Sequence, residues 1–102
     1  MYQRIVCFKF KAGTSPEVVQ AHMADFRQLQ DAMPYIVSYS GGLAISGDQG
    51  APPGYDSLHY LTFSTLDDID RYFAHDAHQR FITAHKDIWA DVLVLNAEID
   101  TV

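Results

Sequence analysis

An α+β fold, with strands and helical regions in the order β-α-β-β-α-β, is what this sequence predicts, and three observations carry it. Four segments alternate their side chains with the period of a strand. Two segments repeat apolar residues every three or four positions, and glycine, proline, serine and threonine punctuate the boundaries. That order is the split βαβ signature of ferredoxin-like folds, an antiparallel four-stranded sheet with the helices on one face.

The first strand is read from Tyr2 to Phe10, with Tyr2, Arg4, Val6, Phe8 and Phe10 on one parity and Ile5 and Cys7 on the other. Gly13 to Glu17 is a helix start. Ser15 serves as N-cap, Pro16 fills the first helical position, and Glu17 complements the helix dipole. The helix runs to about Met33 along a stripe of Val18 or Val19, His22, Met23, Phe26, Leu29 and Met33, and Pro34 ends it. His22, inside that stripe, is a core or pocket-edge histidine.

The second strand is expected over Tyr35 to Ile45, with a bulge or bend at Gly41-Gly42. Residues Ser46 to Gly54 form a loop between strands. The third strand is Tyr55 to Phe63, with Tyr55, Ser57, His59, Leu61 and Phe63 on one face. Thr65-Leu66-Asp67-Asp68 reads as a capping box opening a helix. His75 to His78 is expected to interrupt that helix, with Asp76 recapping a second segment to about Ile88. The last strand is Trp89 to Ile99.

The stretch from Arg71 to Trp89 concentrates the chemistry. It holds three of the five histidines and the only tryptophan. Read as a helix, Tyr72, His75, His78, Ile82 and His85 recur every three or four residues and share one side. Titratable groups mixed with aromatics at that spacing describe either the wall of a pocket or hydrogen-bonded packing residues.

The first and last strands are apolar on both parities, as strands covered on both faces are. The helices cover one face; a second copy of the chain is the economical cover for the other, so a homodimer pairing sheet against sheet is expected. The 102 residues suffice for one domain, 1–102, with one core. A net charge of -6 without a basic cluster argues against nucleic acid as a partner. No apolar run reaches the roughly 20 residues of a membrane span, and no secretory leader pattern is present. The single cysteine excludes an internal disulfide, so a soluble, cytoplasmic protein is expected. Cys7, in a strand expected to be buried, reads as inert packing. The histidines His75 and His78 with Asp76 and His85 lack the spacing of a helical zinc site, and no glycine-rich phosphate cradle leads into a helix. No metal and no cofactor is expected.

The segments IVCFKF, GYDSLHYLTF, YFAHDAHQRF and DVLVLNAEI resemble the stress-responsive dimeric α/β-barrel (Dabb) family, in its order and spacing over nearly the whole chain. His75-x-Ala77-His78-x-x-Phe81 is similar to that family's H-P-A-H-x-x-F. The resemblance implies a ferredoxin-like protomer, a dimer closing a barrel between two sheets, and a small-molecule pocket between helices and sheet. The family's plant polyketide cyclases close linear ketides by aldol condensation with a tyrosine and a histidine, whose places resemble Tyr72 and His78 here. A neutral histidine can take a proton from an activated methylene, and a tyrosine hydroxyl can hydrogen-bond the enolate oxygen.

The chain departs from the pattern at Arg4, where the family often has histidine, at Ser57, where the cyclases have histidine, and at Asp76, where the motif has proline. Arg4 and His59 are then expected to orient an anionic substrate, with His75, Phe81 and His22 completing the candidate binding residues. The readings that follow are a ligand-binding dimer, a cofactor-independent cyclase or lyase on a polyketide-like or anionic substrate, and a relative of the cofactor-independent monooxygenases of this architecture.

Overall fold

The computed structural model describes residues 1–100. Its elements are β1 (Tyr2–Phe10), α1 (Pro16–Ala32), β2 (Ile36–Leu43), β3 (Ser57–Phe63), α2 (Leu66–Ala74), α3 (Asp76–His85) and β4 (Trp89–Glu98). The strands form one sheet in the order β2-β3-β1-β4, and each neighbouring pair is antiparallel. This is the α+β, ferredoxin-like arrangement.

Local chemistry sets the element boundaries. The Ser15 hydroxyl accepts from the Val18 amide at 3.2 Å, and the Thr65 hydroxyl accepts from the Asp68 amide at 3.1 Å. Each cap satisfies a donor the helix leaves open and contributes about 1 kcal/mol. Between β1 and α1, Gly13 takes φ +85°, a conformation that other residues rarely adopt. The α1 stripe then buries His22, Met23, Phe26 and Leu29, and Met33 closes it at the C-cap.

The helices lie on one face of the sheet. Val6, Phe8 and Phe10 of β1 and Leu61 and Phe63 of β3 pack there with Phe26, Ile69, Tyr72 and Phe81. Register puts Ile5, Cys7, Leu58, Tyr60, Leu93 and Leu95 on the opposite face. The molecule is 18 Å thick in its shortest dimension. One helix layer and one sheet account for that thickness, so among the described residues no helix covers the second face. Cys7 is buried even so, and it shares a groove with Ile45, Pro53 and Tyr55 at the edge of that face.

Four expectations are corrected. Strand β2 is shorter than the sequence suggests, and its irregularity lies between Ile36 and Ser38, not at Gly41-Gly42. Strand β3 begins at Ser57, and Tyr55 lies before it, donating to the Asp91 carboxylate at 2.9 Å. The expected interruption after α2 is present, since His75 has ψ 140° and the chain turns there, so Tyr72 to His85 is not one continuous helical face. His75 itself caps α3: its Nδ1 accepts from the Ala77 amide at 3.0 Å, and Asp76 is the first helical residue. An imidazole nitrogen can do what a carboxylate oxygen does at an N-cap, since both present a lone pair to a free amide. After α3, a single turn over Lys86–Ile88 leads into β4.

Candidate functional site

A cavity of about 190 Å³ lies between the helix layer and the β1–β4 half of the sheet. Arg4, Tyr72 and His78 are its polar lining. The remaining wall is apolar and includes Phe8, Phe26, Phe81, Ile82, Trp89 and Val94. Strand parity brings half of these residues together, because Arg4, Val6 and Phe8 alternate along β1 and lie opposite Asn96, Val94 and Val92 of β4. Phe26 comes from α1, and α2 and α3 supply the rest. By changing direction at His75, the chain lays the His78 ring against Tyr72, with centroids 4.5 Å apart.

His78 is held by one bond. Its Nδ1 lies 3.0 Å from the Phe73 carbonyl oxygen. A carbonyl accepts and cannot donate, so Nδ1 carries the proton and Nε2 is the basic nitrogen. The Phe73 carbonyl also takes a bond from the Gln79 amide group at 2.6 Å, so the end of α2 is tied to α3 twice. Burial lowers the His78 pKa, the backbone bond opposes that shift, and the Arg4 charge adds to the lowering. The ring is therefore neutral near pH 7, which is the form a general base needs.

Arg4 and Tyr72 face each other across the same space, with the guanidinium carbon 5.6 Å from the Tyr72 ring centroid. Arg4 is buried and donates from one terminal nitrogen to the Asn96 side-chain oxygen at 3.2 Å. Its Nε and the Tyr72 hydroxyl are both buried without a partner. Burial lowers the Arg4 pKa and raises that of Tyr72; the proximity of the guanidinium partly opposes the second shift. Tyr72 is thus a neutral donor, not a phenolate.

Behind the Phe8–Phe26–Phe81 wall sits a second polar group. His22 and His59 are fully buried, with rings 6.3 Å apart and aromatic contacts to Phe8 and Phe26. Trp89 Nε1 donates to His22 Nε2 at 2.9 Å, so the cavity wall at Trp89 is held from behind. His59 Nδ1 shares a 2.7 Å hydrogen bond with the Tyr39 hydroxyl. Gly41 lies opposite His59 in the ladder, and a Cβ there would overlap the Tyr39 hydroxyl. This close approach is what Gly41 provides. His22 Nδ1, His59 Nε2 and Ser57 Oγ are left without partners. Burial holds His22 at a pKa of about 3 and His59 at about 4, with His85 and His59 adding to the first shift and Arg27 to the second.

Of the candidate residues read from the sequence, Arg4, Tyr72, His78 and Phe81 line the one cavity, whereas His22 and His59 stand behind its wall. His75 caps α3 and borders a surface groove with Tyr35 and Arg71. His85 turns toward α1, where its Nε2 lies 2.7 Å from the Asp25 carboxylate. Among the described residues no three His, Cys, Asp or Glu side chains are placed to hold a metal ion. The sequence reading passed over Trp89, Tyr39 and Phe73. Trp89 offered a signal as the sole tryptophan, at the start of a strand whose Val92 and Val94 share a parity.

The comparisons with known proteins agree on the architecture. A hydroxynitrile lyase from Passiflora edulis superposes with a TM-score of 0.87 at 20% identity, over 99% of this chain and 94% of that one. An Arabidopsis thaliana protein gives 0.86 at 24%, over 100% and 98%. A dimeric ferredoxin-like protein of unknown function from Thermobifida fusca gives 0.80 at 20%, over 96% and 90%. At these identities the likeness is one of fold. No curated protein sequence matches the chain. The Stress responsive A/B Barrel Domain matches residues 3–99, nearly the whole chain and every element described above, and the chain belongs to that Dabb family.

Proposed function

We propose that the chain acts as a homodimer, sheet against sheet, and that the cavity between helices and sheet binds a small molecule. The observation that carries the binding reading is the pair of donors, Arg4 Nε and the Tyr72 hydroxyl, buried without partners on two residues that line, with His78, a largely apolar cavity. Buried polar groups are almost always bonded, and an unbonded pair on neighbouring residues of one cavity lining suits a ligand contact. A cavity of about 150 Å³ admits benzene, so the 190 Å³ here suits one six-membered ring with a short substituent. The dimer is supported by the bare apolar face, where Leu95 alone is 52% exposed, and by the dimeric state of a structural neighbour.

A second reading, catalysis, has its own support. The Phe73 carbonyl fixes the His78 tautomer and leaves Nε2 as a base beside a neutral Tyr72 hydroxyl. That pair suits a cofactor-independent cyclase or lyase acting on a polyketide-like or anionic substrate. Nε2 would take a proton from the carbon next to a carbonyl, and Tyr72 would hydrogen-bond the oxygen that becomes negative.

One experiment addresses both readings. Acetophenone is added in deuterium oxide, with binding followed by Trp89 fluorescence and loss of the methyl proton signal by NMR. Quenching without accelerated exchange leaves a binding protein and rejects the catalytic reading. Accelerated exchange that falls by about 10²-fold or more in His78→Ala supports it. Absence of binding by any one-ring compound rejects the pocket.

A further inference from the structure

We infer that the molecule this cavity takes is a monocarboxylate: a ring-sized apolar body carrying one anionic head, held by Arg4 and Tyr72. The inference rests on the binding reading above and names its substrate class.

Among the described residues Arg4 is a cation without an ion-pair partner. Arg4 is 8% exposed, and the ion pairs among the described residues join Arg71 to Asp68, Arg80 to Asp76 and His85 to Asp25, none of them reaching Arg4. Among the described residues, the side chains it faces are neutral. Across β1 it faces Leu61 on β3 and Asn96 on β4, and from α2 it faces the Tyr72 ring. A guanidinium taken out of water without an anion is among the costlier arrangements a fold can keep. Packing does not require it, since a linear apolar side chain would occupy the same parity of the strand. A bound anion would compensate it.

The geometry also narrows the anion. The two unpartnered atoms, Arg4 Nε and the Tyr72 hydroxyl, can both donate, and a carboxylate is an acceptor at both oxygens. A neutral amide or alcohol, whose own donor could meet only the His78 Nε2 lone pair, would leave the guanidinium charge uncompensated. A phosphate carries more charge and more acceptor positions than one guanidinium and one hydroxyl can meet. The wall away from this corner is Phe8, Phe81, Ile82, Trp89 and Val94, which offers nothing to a second charge. The cavity therefore reads one charge at one end and hydrocarbon at the other.

The test compares benzoate with benzamide, which has the same ring and a neutral head of the same shape. Trp89, the only tryptophan, lines the cavity and reports binding by its fluorescence, with calorimetry as a second measure. Benzoate is expected to bind at least about tenfold more tightly than benzamide. Arg4→Met should erase that preference while leaving the unliganded melting temperature unchanged or higher, because it removes an uncompensated buried charge. Tyr72→Phe, which keeps the cation, should weaken benzoate about three- to tenfold. Equal binding of the two rings, or a preference that survives in Arg4→Met, overturns the carboxylate and leaves the cavity reading intact. If neither ring binds, both readings fall together. Should Arg4→Met fail to fold, Arg4 has a structural role that the argument denies, and that outcome also counts against the inference.

Discussion

Acidification from pH 7 toward pH 5 should destabilise this protein steeply, because its two fully buried histidines resist protonation while folded. His22 and His59 are fully buried, with pKa values held at about 3 and about 4, against 6.5 for an unperturbed imidazole. The unfolded chain binds protons at both positions as the pH drops below 6.5, while the folded chain stays neutral there. The stability they support is complete above pH 6.5 and is lost as the pH falls toward the folded values. Near pH 5 the unfolded state holds about two more protons than the folded state, so stability falls by about 2.5 kcal/mol per pH unit. His78, whose pKa burial also lowers, acts in the same direction. Against a total of about 5–15 kcal/mol for a small domain, one pH unit removes a large share. The assay is urea unfolding followed by Trp89 fluorescence at pH 7, 6 and 5, at one protein concentration. Replacing His59 with Leu together with Tyr39→Phe removes one titrating group without orphaning the hydroxyl that bonds it. The slope should then fall by about 1.4 kcal/mol per pH unit. A wild-type slope below about 1 kcal/mol per unit, or a slope the double variant leaves unaltered, would refute the reasoning.

Two further predictions concern packing and assembly. Gly41→Ala puts a Cβ into the space of the Tyr39 hydroxyl and should cost about 1–3 kcal/mol, part of which returns when Tyr39→Phe is added; additive losses in thermal unfolding would mean that the two residues do not compete for that space. Leu95→Lys, on the bare face of the sheet, should shift the protein from dimer to monomer in sedimentation at micromolar concentration, and an unchanged dimer would place the interface elsewhere.

The candidate site was legible in part, and particular residues show why. Tyr72 and His78 could be singled out because they fall in one short stretch, yet their juxtaposition depends on the turn at His75, which a regular helical projection omits. The sequence favoured Asp76 as the cap of α3; both side chains offer a lone pair, and the turn decided between them. Gly41 shows a related ambiguity. A missing Cβ permits a bulge or a close approach, and the choice depends on Tyr39 and His59, which are not its immediate neighbours in sequence. His22 and His59 were both named, but only packing shows that a phenylalanine wall separates them from the cavity.

By itself the sequence determined the order of elements, the parity of β1 and β3 and the stripe of α1, because backbone periodicity and capping act over a few residues. It also determined that the sheet has two apolar faces and helices enough for one. Only the tertiary structure decided which polar groups share a cavity and which remain unpartnered within it. Arg4 and Tyr72 belong to opposite layers, and whether a buried donor is satisfied depends on every neighbour that folding brings to it.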